Sequence, residues 1–324
     1  GPGGSALHAA IVSRIRDSLL PGDAPAEDDA WVDEAARVLL DTAAQRRPGA
    51  AVIEMVSASE ERRYLRIALI NDDMPFLVDS VAAAIAEAGL VIDRLAHPVV
   101  TVERDGEGRL VALPENGTEY SVAGALRESM IYIETARIDA RQRGELQRLL
   151  ETTLADVRVA VADWSKMVAA MTADSVLVND PEGSELLRWF AGGTLTQLGH
   201  VTQHRDGSHS DLLGVCRRDQ RDLLSEASYA RAFAAFDAQL AEGAVRAPMV
   251  IKANRIATVH RRVPLDLFLV PLIEDGKVTA LSVHAGIWTS AALAATPDRV
   301  PRLRTAMAGL AGKLGFDPVG HTGK

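Results

Sequence analysis

The segment Asn71-Asp72-Asp73-Met74-Pro75-Phe76-Leu77-Val78-Asp79-Ser80 has the clearest chemical potential in this sequence. An alternating run, Tyr64–Ile70, ends in it, and an apolar helical stripe of Leu77, Val81, Ile85 and Ala88 leaves it. A polar turn that opens directly into a helix exposes unpaired amide N–H groups at the positive end of the helix dipole. That setting favours an anion such as an amino-acid carboxylate. Asn71, Asp72, Asp73, Met74, Pro75, Phe76, Asp79 and Ser80 are therefore the candidate ligand-binding residues.

Two other groups of side chains invite chemistry. Lys252, Arg255, His260, Arg261 and Arg262 make a basic cluster in an acidic chain, suited to an anionic ligand, to docking, or simply to solvated strand edges. His200, His204 and His209 lie close in sequence to Asp206 and Asp211. On a strand, however, His200 and His204 point the same way but stand well apart, and no second pair at ligand spacing accompanies them, so no metal is expected. There is no GxSxG and no HExxH. Gly106-Glu107-Gly108 lacks the third glycine of a dinucleotide loop, and Gly320 is followed by His321-Thr322 rather than by Lys and Ser/Thr. No catalytic residue is assigned.

The elements that would position these residues follow from periodicity. Gly1–Ser5 has the look of a remnant left by protease cleavage of a tag and stays outside the fold argument. Helices are expected over 6–20 and 31–45, and Arg46-Arg47-Pro48-Gly49 ends the second. Leu65, Ile67 and Leu69 predict a half-buried strand. Asn71-Asp72-Asp73 offers a helix N-cap, Pro75 falls in the first turn, and Gly89 closes the helix. Residues 90–103 predict a strand with a bulge or edge at Pro98, followed by a turn at Asp105–Gly108. A strand over 129–138 and a long helix from Leu146 towards Met171 complete an order of strand, helix, strand, strand, helix. That order is ferredoxin-like, with its fourth strand unplaced.

From about residue 180 the pattern restarts. A short helix around Leu186, Leu187 and Phe190 precedes strand-like runs at 194–203 and 211–217, then a helix over 222–241. Four more strand-like runs, at 248–253, 256–263, 266–273 and 277–288, precede a last helix at 299–314. The fold class is α+β throughout. N-terminal helices (6–50) lead into a ferredoxin-like domain (51–175), followed by a second α+β domain with an antiparallel sheet (180–324), read as PAS-like.

Bulk properties narrow the function classes. At 324 residues, 48% hydrophobic and 24% charged, the chain is an ordinary globular one with room for two domains. A net charge of −9 without a basic run argues against nucleic acid and against an anionic membrane as partner. A single cysteine, Cys216, excludes an internal disulfide and suits a reducing cytosol. No apolar run reaches membrane-spanning length. A cytoplasmic location is expected.

The run from Asn71 to Ser80, continuing to Ala88-Gly89-Leu90-Val91-Ile92, resembles the opening strand, loop and helix of ACT domains. Such domains bind small ligands, often amino acids, at this turn and commonly at a subunit interface. Many carry Gly directly after the proline, where a ligand approaches the backbone. Phe76 fills that space here, so packing or docking competes with ligand binding at the same place.

Met74–Val81 is also similar to the N-terminal region of the large bacterial NAD-specific glutamate dehydrogenases. Further landmarks agree in order: Glu128–Glu134, Leu186–Phe190, Thr194–Gly199, Lys252-Ala253-Asn254 with Thr258–Arg261, Gly286–Ser290, and Gly315–Lys324. The resemblance runs from about residue 50 to the last residue, in the middle of the family's sequence, so a truncation is expected.

It implies a parent reaction, oxidative deamination of glutamate to 2-oxoglutarate and ammonium with NAD. It also implies that the catalytic domain and the NAD site lie elsewhere in the polypeptide, leaving this fragment without enzyme activity or cofactor. Implied partners are the downstream domains of the same chain, further copies in a homo-oligomer, and an amino-acid effector. Purely structural assembly and interdomain docking is the alternative.

Overall fold

The structure is a computed structural model that describes residues 2–19, 30–59, 63–115, 125–218 and 222–302. The helix expected at 299–314 lies outside these from residue 303 onward, as do Gly315–Lys324. By contacts the chain divides into a first unit of 1–157 with Thr258–Arg261, and a second of 158–257 with 262–324.

The first unit opens with α1 (Pro2–Ser18) and α2 (Ala30–Ala43). Helix α1 takes in Pro2–Ser5, which the sequence reading set aside. Ile11 and Ile15 of α1 and Trp31, Val32, Ala35, Ala36 and Leu39 of α2 recur at helical spacing. They bury against Ala68, Ile70, Ala96, Val100, Val102, Met130 and Tyr132 of a sheet.

That sheet is built from β1 (Val52–Ser59), β2 (Arg63–Asp72), β3 (Ile92–Ala96), β4 (Val99–Arg104), β5 (Leu110–Ala112) and β6 (Ala125–Ala136). Helix α3 (Leu77–Glu87) follows β2, and α4 (Ala140–Leu177) follows β6. The strand order is β1-β2-β6-β4-β5, with β3 also on β6, and the pairings are antiparallel.

Strand β2, helix α3, strand β6 and helix α4 follow one another as expected, but four strands rather than two lie between α3 and α4, and the short β5 (Leu110–Ala112) was not foreseen. The position beside β2 is filled by β1, which precedes it in the chain and pairs with it from Val52↔Ile70 to Ser59↔Arg63. Strand β2 is not half-buried as predicted. Residues 64–71 are all buried, because α2 covers the face opposite Leu65, Ile67 and Leu69. The single strand expected over 90–103 is two, interrupted at His97-Pro98. Proline has no N–H for a ladder, and Pro98 contributes only its carbonyl, to the amide of Met130.

The division between the units falls inside α4, whose residues 158–177 belong to the second. That unit continues with α5 (Pro181–Trp189), a π-helical turn (Phe190–Thr194), β7 (Leu195–His204), β8 (His209–Gly214) and a 3-10 turn (Val215–Arg217). Then come α6 (Glu226–Ala241), β9 (Met249–Ile256), β10 (Pro264–Glu274), β11 (Lys277–Trp288), the short α7 (Ser290–Ala294) and a 3-10 turn (Pro297–Arg299).

The second sheet has the order β8-β7-β11-β10-β9 and is antiparallel throughout. Phe190, Phe268, Leu186, Leu187, Leu195 and Val270 centre its described core. The Phe190 ring lies 4.5 Å from that of Phe268, tilted by 44°, and meets Trp288 edge-on at 5.3 Å. A bulge between Ala285 and Gly286 brings the backbones of β11 and β7 together, and a Cβ on Gly286 would stand 2.5 Å from the Thr196 carbonyl oxygen.

Of the four strand-like runs expected between 248 and 288, the one at 256–263 is no strand of its own. Residues 257–263 make a tight loop in which His260 has φ 69°. No described helix is long and apolar enough to cross a membrane.

Candidate functional site

Strand β2 continues to Asp72, which still pairs with Glu128 of β6, so α3 cannot begin where an Asp cap at 71–73 would put it. The residue preceding the helix is Phe76, in the left-handed conformation at φ 70°, ψ 5°, and no side chain caps the helix. Pro75 therefore lies in the turn before α3 rather than in its first turn.

The polar side chains of the turn are engaged by the protein itself. Asp72 accepts from Arg46 Nη2 at 2.6 Å and from the Gly49 amide at 3.0 Å. The Ser129 hydroxyl donates to Asp73 Oδ1 at 2.8 Å and accepts from His97 Nε2 at 3.1 Å. Buried Asn71 donates to its neighbour's carbonyl, that of Asp72. Met74 is half-buried, and Pro75 is exposed.

At the helix end, His260 lies across the first turn. Its amide donates to the fully buried Ser80 Oγ at 2.7 Å, and its Nδ1 to Asp79 Oδ2 at 3.0 Å. Its ring stands 5.3 Å from that of Phe76. A carboxylate approaching the free amides of α3 would meet Asp79, which already occupies the favourable end of the helix dipole.

Behind the turn lies a buried network that the sequence reading did not single out. Arg46 and Arg104 grip Glu128 between them. Arg46 Nε reaches Oε2 at 3.0 Å, while Arg104 Nε and Nη2 bond both oxygens at 2.8 Å. Arg46 is 1% and Glu128 0% exposed, so neither charge has water as a partner. Burial opposes the Arg46 charge, but hydrogen bonds to Asp72 and Glu128 outweigh it and hold the guanidinium pKa above its usual value. The Nη1 protons go to backbone carbonyls, those of Arg46 to Arg47 and Ala50 and those of Arg104 to Ala43 and Gly108. The helix-stopping Arg46-Arg47-Pro48-Gly49 and the Glu128 landmark each carried half of this signal. Their pairing across the sheet was invisible in one dimension.

The residues of the predicted basic cluster are divided between the two units. Lys252 and Arg255 stand on β9 of the second unit, with Lys252 paired to Asp266 at 3.1 Å, while His260 and Arg261 belong to the first. The histidines separate as well. His204 bonds Ser210 at 2.7 Å, and His209 lies 3.3 Å from Asp222. His200 turns inward beside His284 and Asp174, and burial, then the neighbouring His284, lowers its pKa below the ordinary value. A groove of about 840 Å³ in the second unit is lined by His204, Arg205, Asp206, Asp237 and Lys277, and Arg205 is already paired with Asp237 at 2.6 Å.

An antiparallel sheet with α3 springing from a polar turn at the end of β2 defines the class as an ACT-type domain, followed by a second α+β domain. Residues 18–150 match the family model described as the glutamate dehydrogenase ACT1 domain. The chain is 29% identical over 287 residues to the NAD-specific glutamate dehydrogenase of Halomonas elongata, covering 80% of this chain and 17% of that protein. It is 26% identical over 284 residues to the NAD-specific glutamate dehydrogenase of Pseudomonas aeruginosa, covering 81% and 17%. The chain is thus similar to the N-terminal, ACT-bearing region of NAD-specific glutamate dehydrogenases, and spans about a sixth of the length of these relatives.

Proposed function

We propose that this chain is a regulatory and assembly segment of a cytoplasmic NAD-specific glutamate dehydrogenase. The glutamate and NAD chemistry would reside in other parts of the polypeptide. The observation that carries this reading is the start of α3, where a ligand-type turn is occupied by the protein's own groups. His260 holds Ser80 and Asp79, and Phe76 stands where a ligand would approach. The turn works as a seat for the segment Thr258–Arg261. Docking is favoured over amino-acid sensing, because an effector would first have to displace His260.

The second unit supports the PAS-like reading. Numbered within the unit, its strands run 2-1-5-4-3, with the first and last strands paired at the centre. Its partners in the intact protein would be downstream domains and further copies of the chain.

Three measurements test this. With glutamate and NAD, the chain is expected to produce no NADH absorbance; steady turnover would overturn the assignment. Calorimetric titration with the common amino acids is expected to give no saturable heat, whereas one-to-one binding by the native chain would favour the sensing reading. Light scattering is expected to show a mass above the 34.6 kDa protomer, rising with concentration. A strict monomer would remove the assembly half of the proposal.

A further inference from the structure

The cluster of Asp174, His200, Ser282 and His284 lies wholly in the second unit and plays no part in the reading above. Asp174 comes from the second half of α4, His200 from β7, and Ser282 and His284 from β11. His200 and His284 are direct cross-strand partners with ring centroids 4.9 Å apart. All four residues are buried, at 8, 4, 3 and 0% exposure in chain order.

Counting hydrogens shows that the cluster lacks one. The Asp211 carbonyl accepts from His200 Nδ1 at 2.8 Å, so Nδ1 carries the proton and Nε2 of the neutral ring presents a lone pair. That lone pair faces Ser282 Oγ at 2.9 Å, and the serine's single hydrogen is also claimed by Asp174 Oδ2. Asp174 Oδ2 is in turn 2.6 Å from His284 Nε2. Three close contacts therefore share two hydrogens, one from Ser282 and one from His284. One contact must set lone pair against lone pair unless a cation joins them. In a buried site an unmade polar contact of this kind is costly.

We propose that Asp174, His200 and His284 bind a divalent first-row metal ion, with Ser282 closing the site, and that the ion is zinc. Two imidazole nitrogens and a carboxylate oxygen are a ligand set that zinc takes. The three atoms lie within 4.8 Å of one another, and a tetrahedral ion at roughly 2.0–2.1 Å from each needs ligand atoms about 3.3 Å apart. Small side-chain rotations bridge that difference. The His200 Nδ1 bond to the Asp211 carbonyl supplies the outer hydrogen bond that fixes the tautomer of a metal-bound histidine. Burial and the serine hydroxyl in the fourth position make the site closed. That marks a structural ion bracing α4 against β7 and β11, not a catalytic one with an open position.

The test uses the whole chain, stripped with EDTA and titrated with zinc chloride and, separately, with cobalt chloride. We expect one zinc per chain, a higher melting temperature when it is bound, and the intense visible absorption of tetrahedral cobalt. The double variant Asp174→Asn/His284→Gln should weaken zinc by well over the 10–100-fold that outer-shell changes cause. Failure of the native chain to take up zinc, or equal uptake by a folded double variant, would overturn the proposal and assign the missing hydrogen to a proton on His200. Should the variant not fold, the cobalt spectrum of the native chain decides: tetrahedral absorption supports the site, and its absence removes it.

Discussion

Glu128 shows how much a single residue can carry in this molecule. It is fully buried and holds two arginines, one of which also holds Asp72 at the end of β2. Replacing it with glutamine leaves Arg46 and Arg104 short of an anion in a dry interior. Breaking one partner of such a buried set costs about 3–5 kcal/mol. Glu128→Gln is expected to lose that much in urea denaturation, and a loss below about 1 kcal/mol would mean that the network is far better hydrated than its burial implies.

His97 gives the pH dependence. Burial is the main influence and holds its pKa below the ordinary 6.5, against a smaller opposing pull from Asp73. The unfolded chain then binds the proton more readily than the folded one. Stability is full above pH 6.5 and falls as the pH drops below it. Melting temperatures between about pH 7.5 and 5.5, which bracket the ordinary histidine value, should show this fall in the native chain and a shallower one in His97→Gln.

At the scale of elements, the start of α3 is the instructive case. Periodicity located the helix, because Leu77, Val81 and Ile85 recur on one face and all are buried. Its first residue was not legible. The strand before it is prolonged by pairing to β6, and the turn places Phe76, a residue with no special liking for it, in left-handed backbone. Left-handed backbone costs a side-chain-bearing residue about 1–2 kcal/mol. Phe76→Gly relieves that strain and Phe76→Ala does not, though both lose the ring contact with His260. The glycine variant should therefore be the more stable of the two by about 1 kcal/mol in urea denaturation; the reverse order would place the strain elsewhere.

Other elements failed to declare themselves for related reasons. The β1 alternation was hidden by its polar content, Glu54, Ser57 and Ser59, and the edge it occupies is defined only by its partner β2. The His200 site draws on residues 26 and 84 positions away, so no local spacing of histidines could have announced it.

At the scale of the molecule, two units each have a hydrophobic core of their own. Perturbations should accordingly be read out separately, by residue-resolved hydrogen exchange. Glu128→Gln is expected to speed exchange in β2, β4 and β6 with little effect on β7 and β11, and zinc should slow β7 and β11 selectively. Equal changes in both sheets would mean that the chain opens as one cooperative body.

The membership of Thr258–Arg261 in the first unit bears on how this protein is made. Synthesis reaches Val157 about 100 residues before it supplies His260, a delay of roughly 5–20 s at ordinary elongation rates. For an interval of that length after residues 1–157 have emerged from the ribosome, Thr258–Arg261 are still missing, and Ser80, Asp79 and Phe76 lack the cover that His260 gives them. The same turn that is closed in the finished chain is open during its birth, and only then could a passing small molecule reach it without competition from His260.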